Sequence, residues 1–369
     1  MLVLRTRVFA LGAARRDWKR PPTLAPLAAP RGAGQSLGTA RRDCGSPMNE
    51  FEVIERHFRR SPRSADVRVG IGDDAAVITP RAGMDYAISV DMLVEGRHFV
   101  AGADPALLGH KTLAVNLSDL AAMGAQPRFA LLAGALPSSD PQWLTAFMRG
   151  FDALAARYGV ELIGGDTTSG PRNLCVTVIG EVPTGAAITR AGARAGDLVY
   201  VSGTLGDAAL ALAVANGHID VDAALVPALQ RRLDAPDPRV PLGIALRGIA
   251  SAALDVSDGL TGDLAHVLDA SHAGATIDAA AIPCSDALRA LLRGPRHDIA
   301  FHALLAGGDD YELCFTANPA MRERIARLAQ ELSLPLTPIG TITAEPGLTV
   351  RDEDGRRLPS LPRAFDHFA

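Results

Sequence analysis

An α+β first half joined to a mixed α/β second half is the architecture this sequence predicts, and three observations carry the prediction. Residues 48–183 alternate strand and helix patterns in the order β-β-α-β-α-β-β, which suits helices laid on one face of a mainly antiparallel sheet. Pro183, Thr184 and Gly185 then interrupt the periodicity, as a boundary segment does. Beyond them strands and helices resume in mixed order. The expected divisions are an extension at 1–47, a first domain at 48–183 and a second at 184–369.

The elements follow from local patterns. Residues 51–59 read as an amphipathic helix with Phe51, Ile54 and Phe58 on one face. Residues 67–79 and 85–91 read as strands. Asp104-Pro105 is an N-cap with proline at the first helical position, opening a helix that runs to Met123 and stops at Gly124. Residues 129–136 form a strand, 141–158 a helix closed by Gly159, and 160–163 and 175–182 two further strands. In the second half the expected strands are 197–202, 252–255 and 301–306, and the expected helices 206–216, 259–270 and 318–332.

Hydrophobic residues make up 48% of the chain, a globular composition. No apolar run reaches the ~18 residues of a membrane span, so no membrane association is expected. The cysteines at 44, 175, 284 and 314 are far apart and read as small buried hydrophobes of a reducing cytoplasm. Residues 1–47 carry nine basic and two acidic residues, and the remainder 28 basic and 39 acidic. The acidic body argues against nucleic acid as a partner and fits a protein that binds cations, or anions through cations. The Arg-, Ala-, Pro- and Gly-rich stretch 1–47 lacks periodicity and is expected to be disordered, a product of an upstream start codon with synthesis proper beginning at Met48.

The chemistry lies in aspartates set among glycines and small residues. They are Asp73 and Asp74 in GIGDDAA, Asp91 in ISVDMLV, Asp119 in AVNLSDLAAMGA, Asp166 in IGGDTTSG, Asp255 and Asp258 in LDVSDGL, and Asp309 and Asp310 in AGGDDYEL. Asp119 interrupts a helix that is apolar on nearly every side, where a carboxylate is costly unless paired or bound to metal. The chain has only two lysines, Lys19 and Lys111, and few arginines inside these motifs, so the acids are expected to lack local cationic partners. Converging hard oxygen ligands suit divalent cations, and magnesium on few protein carboxylates implies phosphate as a further ligand. Gly164-Gly165 and Gly307-Gly308 allow close backbone approach. Residues 257–260 stand where a strand gives way to a helix, where free N–H groups suit a phosphate. Asp197 in AGDLVY reads as a turn residue, and Asp310 as a surface turn residue. Asp73 and Asp74 point to opposite faces of an extended segment, so Asp74 is the candidate ligand and Asp73 satisfies the turn or orients a neighbour. The P-loop motif and the protein-kinase motif set are absent, so ATP would be held through metals and backbone.

Taken in order, GIGDDAAV, VNLSDLAAMGA, LIGGDTT, TRAGARAGD, LDVSDGL, GGDDYELCF and the terminal FDHF resemble the thiamine-monophosphate kinase family, from about Met48 to the end of the chain. Each motif alone is weak; seven in register are specific. The resemblance implies the PurM-like fold shared with aminoimidazole-ribonucleotide synthetase. Its first domain forms a homodimer through its sheets, and its second, α/β domain covers the ATP site. It implies direct in-line transfer of a phosphoryl group from ATP to thiamine monophosphate with several Mg2+ ions and no protein nucleophile, the last step of thiamine diphosphate biosynthesis, in the cytoplasm.

Carried over by the resemblance, Asp74, Ser89, Val90, Asp91, Asp119, Asp166, Asp255 and Asp258 hold metal. Val90 replaces a residue often Thr in the family and offers only its carbonyl. Gly165, Asp166, Arg190 and Ser257 contact ATP. His98, Asp309 and Phe365 contact the substrate, Asp309 standing where relatives often have Glu and reaching about one methylene less. Two other readings compete: another ATP-dependent synthetase of the same superfamily, and a non-catalytic nucleotide- or cation-binding protein, which would need the acids but not His98 and Phe365.

Overall fold

The computed structural model describes residues 48–365. The expected disorder of 1–47 lies outside the described residues, as do the last three residues of the FDHF motif.

The first half begins with α1 (Glu50–Val53), which continues directly into a π-helical turn, Ile54–Phe58. Asn49 and Glu52 cap it reciprocally: each side chain accepts from the other residue's backbone N–H. Then come β1 (Val67–Val69), β2 (Val77–Ile78), β3 (Met84–Val94), α2 (Pro105–Ala122), β4 (Gln126–Leu136), α3 (Pro141–Tyr158), β5 (Glu161–Ser169) and β6 (Asn173–Pro183). The single strand expected over 67–79 is instead two short strands paired antiparallel, with GIGDDAA as the loop between them. Gly72, at φ +116°, turns the chain there.

Strands β3, β6, β4 and β5 lie side by side in that order; β6 runs antiparallel to both neighbours and β4 parallel to β5. Helices α2 and α3 both open on an Asp cap followed by proline, and α3 closes on Gly159 in the left-handed region. The two helices cross closely through glycine. A Cβ on Gly109 would lie 2.0 Å from the Phe147 carbonyl oxygen, and one on Gly150 1.8 Å from that of Ala106. The far side of β3 carries Ile88, Val90 and Met92, which are 64%, 57% and 50% exposed.

The second half contains β7 (Leu198–Ser202), α4 (Asp207–Ala215), α5 (Val226–Asp234), α6 (Val240–Ala245), β8 (Ala250–Val256), α7 (Leu260–Ser271), β9 (Gly274–Asp278), α8 (Asp286–Leu292), α9 (His297–Ala306), β10 (Glu312–Ala317), α10 (Arg322–Glu331), β11 (Leu336–Thr343) and β12 (Gly347–Arg351). Its sheet runs β12-β9-β11-β7-β10-β8, antiparallel throughout except for β12 beside β9. The strand expected at 301–306 is the end of α9; FHALLA is a short apolar run, which periodicity alone cannot assign. The true strand is β10, buried at every residue because β7 and β8 flank it. One apolar core joins the two halves: Leu117, Leu120 and Ala121 of α2 cluster with Leu242, Leu246, Leu313 and Phe315. Helix α2 is therefore enclosed on nearly all sides, which accounts for its all-round apolar sequence.

Candidate active site

Helix α2 brings Asp119 against the inner face of β3. Ser89 and Asp91, two residues apart on that strand, share this face. The Ser89 hydroxyl donates to Asp119 Oδ2 at 2.5 Å. The Asp91 backbone N–H donates to Asn116 Oδ1 at 2.9 Å, and the Asn116 amide donates to the Thr112 carbonyl at 3.0 Å, so the strand end is tied to the helix. Asp119 sits in the last turn of α2 rather than mid-helix, where the helix dipole adds to the cost of its charge. From the other half, β8 carries Asp255 one residue before its end at Val256 and is followed by the loop of Ser257, Asp258 and Gly259.

These carboxylates feel one another. Burial, then the charges of Asp119 and Asp258, push the Asp91 carboxyl up to about 7. Burial raises Asp119, against the opposing pull of its Ser89 hydrogen bond and the Arg190 guanidinium. Asp255 is driven well above the usual carboxylate range by burial and then by Asp119. Several carboxylates brought this close and partly desolvated suit a hard divalent cation. Among the described residues, no three His, Cys, Asp or Glu side chains converge into a ready-made metal site.

The loop after β8 departs from expectation. The N–H groups of Ser257, Asp258 and Gly259 do not stand free for a phosphate; all three donate to Asp263 Oδ2, at 2.9, 3.0 and 3.0 Å. Burial, then the Asp258 charge, lift Asp263 to about 7. The sequence signal for it was an acid in the first turn of α7. Phe365, half exposed, donates its backbone N–H to the Asp258 carbonyl at 3.2 Å, so the last described residue is held against this loop. Asp309 does the same to the Ser257 carbonyl at 2.8 Å, in the left-handed region at φ +66°. Its Oδ1 accepts from the Tyr311 hydroxyl at 3.0 Å and lies 3.3 Å from the Lys111 ammonium, whose side chain is only 3% exposed. One acid thus has a lysine partner after all, supplied by α2 a little over two turns before Asp119. Asp310 is buried, not a surface turn residue, and its carboxylate accepts the Gly206 N–H. Asp197 keeps the turn role, accepting the Arg194 N–H at 3.0 Å.

A second group stands apart. Asp74, Gly165 and Asp166 line a cavity of about 1100 Å³ together with Thr167, Cys175 and Thr177. Asp73 Oδ1 accepts the Asp74 N–H at 2.9 Å, the turn role the sequence suggests. Gly165 has φ +151°, and a Cβ there would lie 1.9 Å from the Leu132 carbonyl oxygen. In the strand register Met92, Cys175, Ala133 and Asp166 are level, which puts Asp166 on the face opposite Asp91. Strands β6 and β4 separate β3 from β5, a span of roughly 14 Å. A single chain therefore does not bring Asp74 and Asp166 to the Asp91 cluster. Val90 points outward with Ile88 and Met92. His98 stands in the turn after β3, its Nδ1 accepting the Val94 N–H at 3.0 Å.

Two family models match, AIR synthase related protein, N-terminal domain, over residues 72–182, and its C-terminal domain over residues 194–353. The thiamine-monophosphate kinase of Escherichia coli is 44% identical over 322 residues, covering 87% of this chain and 98% of the relative. The crystal structure of thiamine-monophosphate kinase from Stenotrophomonas maltophilia superposes with a TM-score of 0.74 at 46% identity, over 84% of this chain and 96% of that one. AaThiL complexed with AMPPCP and TMP matches with a TM-score of 0.69 at 29% identity, over 79% and 89%. The hydrogenase maturation protein HypE in complex with ATP, at 20% identity and a TM-score of 0.67 over 86% and 95%, shares the fold. With two-domain α+β architecture and sequence agreeing along nearly the whole length of these relatives, the chain belongs to the thiamine-monophosphate kinase family.

Proposed function

We propose that this chain transfers the γ-phosphoryl group of ATP to the phosphate of thiamine monophosphate, giving thiamine diphosphate and ADP. The observation that carries the reading is the cluster of Asp91, Asp119, Asp255 and Asp258 assembled from both halves, with Arg190 facing it. AaThiL, a relative of the same fold, is known complexed with AMPPCP and TMP. Several Mg2+ ions, when bound, would neutralise the charge of the transferring phosphoryl group and hold donor and acceptor in line. The chain's own part is positioning. Asp74, Ser89, Asp91, Asp119, Asp166, Asp255 and Asp258 would hold the cations, with the Val90 carbonyl. Gly165 and Asp166 let backbone and carboxylate reach the nucleotide, Arg190 meets its phosphates, and Ser257 offers its hydroxyl, since its N–H is engaged by Asp263. His98, Asp309 and Phe365 would contact thiamine monophosphate.

The protein would act in the cytoplasm as a homodimer, with 48–183 as the dimerising domain and 184–369 covering the nucleotide. Among the described residues no helix is long and apolar enough to cross a membrane. The exposed row of Ile88, Val90 and Met92 supports a second copy as the partner. A partner on that face would also bring its own Asp74, Gly165 and Asp166 towards the Asp91 cluster, uniting what one chain keeps apart.

Purified protein with ATP, Mg2+ and thiamine monophosphate is expected to form thiamine diphosphate; ATP consumption without that product would point to another ATP-dependent synthetase of this fold. Stability provides a second measurement. Asp91 keeps its proton in the folded state up to about 7, against 3.8 in an ordinary aspartate. Between those values the unfolded chain binds fewer protons, so stability without divalent cations falls as pH rises through that window. Mg2+ is expected to restore it: at about 100 times its dissociation constant it contributes about 2.7 kcal/mol, several degrees of melting temperature at pH 8 and far less at pH 5. A Mg2+ shift that does not grow with pH would contradict the cation assignment.

A further inference from the structure

Asp263 lies in the first turn of α7, buried and five residues beyond Asp258. One of its carboxylate oxygens accepts three consecutive backbone N–H groups, those of Ser257, Asp258 and Gly259. The opposite side of the same loop is also held, since the Ser257 carbonyl accepts from Asp309 N–H and the Asp258 carbonyl from Phe365 N–H. Gly259, at φ +115°, packs so tightly that a Cβ would meet the Ala306 carbonyl carbon at 2.5 Å. Three N–H groups of the loop thus close around one carboxyl oxygen, and that oxygen belongs to the protein.

We infer that Asp263 is a positioning residue for phosphoryl transfer: it fixes the loop of Ser257 to Gly259 so that Asp255 and Asp258 face Asp91 and Asp119. Its charge fills the anion niche at the start of α7. A nucleotide phosphate is therefore met near this loop by side chains and cations, not by the helix N-terminus. The inference rests on the reading of Asp255 and Asp258 as cation ligands.

The test uses the full chain and two variants, Asp263→Asn and Asp263→Ala. Asparagine keeps the shape and one acceptor oxygen, but it loses the charge and turns either oxygen or amide hydrogens towards three donors. Calorimetry measures Mg2+-dependent binding of a non-hydrolysable ATP analogue, and steady-state assays measure kcat, KM for thiamine monophosphate and the Mg2+ concentration for half-maximal rate. In Asp263→Asn the Mg2+ midpoint is expected to rise at least tenfold and kcat to fall at least tenfold, with KM for thiamine monophosphate within about threefold of wild type. Asp263→Ala is expected to be worse on the first two counts; should it fail to fold, Asp263→Asn carries the test. A lowered melting temperature with the Mg2+ midpoint, kcat and analogue binding unchanged would reduce Asp263 to a helix cap and overturn the inference. If the wild type forms no thiamine diphosphate yet binds the Mg2+–analogue complex, and Asp263→Asn weakens that binding tenfold, the positioning role stands and the kinase reading falls.

Discussion

Asp119→Asn is expected to lower kcat by at least a thousandfold, about 4 kcal/mol of transition-state stabilisation, while leaving the metal-free protein as stable as wild type or more so. The two halves of this expectation have one cause. Asp119 is partly buried in the last turn of α2, and its carboxyl is raised because desolvation penalises its charge. A carboxylate raised above its unfolded value costs the fold stability at neutral pH, and the amide removes that cost. Asparagine can still accept from the Ser89 hydroxyl, so local geometry survives. What is lost is the negative charge that, with Asp91 and Asp255, would hold a divalent cation. The Mg2+-induced rise in melting temperature should disappear with the activity. Activity within tenfold of wild type would remove Asp119 from the ligand set.

Much of the fold was legible because its signals are local. Asp104-Pro105 and Gly159 place the start of α2 and the end of α3 through hydrogen bonds spanning two to four residues, and those caps are present. The acids of the cluster were legible for a related reason: a charge amid small apolar residues is anomalous wherever the chain goes. What escaped depends on distant pairing. The order β3-β6-β4-β5 cannot be read from spacing, and only that order and its register reveal that Asp166 and Asp91 occupy opposite faces with two strands between them. Lys111 was visible as a rare lysine, yet its partner Asp309 lies in the other half of the chain. The three N–H groups at Ser257 to Gly259 looked available because strand-to-helix loops usually leave them so; Asp263 fills the place from within the same helix. Residues 67–79 misled because their apolar ends are true strands while the glycines between them bend the chain out of the sheet.

Glu312→Gln is expected to act in the opposite direction from Asp119→Asn, destabilising the fold by about 3–5 kcal/mol. Glu312 is fully buried on β10, but unlike Asp119 each of its oxygens is matched. Arg239 grips both, Nε to Oε2 at 2.7 Å and a terminal nitrogen to Oε1 at 2.5 Å; Arg232 adds a bond to Oε1 at 3.0 Å and Ser202 one to Oε2 at 2.6 Å. The network continues outward. Arg239 also holds Asp237 at 3.0 Å, Asp237 meets Arg157 at 2.8 Å, and Tyr158 donates to the Pro238 carbonyl at 2.9 Å, so β10 is connected to α3 in the other half. Glutamine keeps one acceptor oxygen and brings an amide that points hydrogens at guanidinium groups. It would remove the ion-pair partner of Arg232 and leave Arg239 with Asp237 alone, their side chains being only 22% and 14% exposed. Urea unfolding should show a lower midpoint with an unchanged slope, and a loss below about 1 kcal/mol would refute the assignment. Two desolvated carboxylates, each made neutral by an amide, are thus predicted to move stability in opposite senses. The sign reports which carboxylate the protein neutralises with its own cations and which it leaves for a cation from solution.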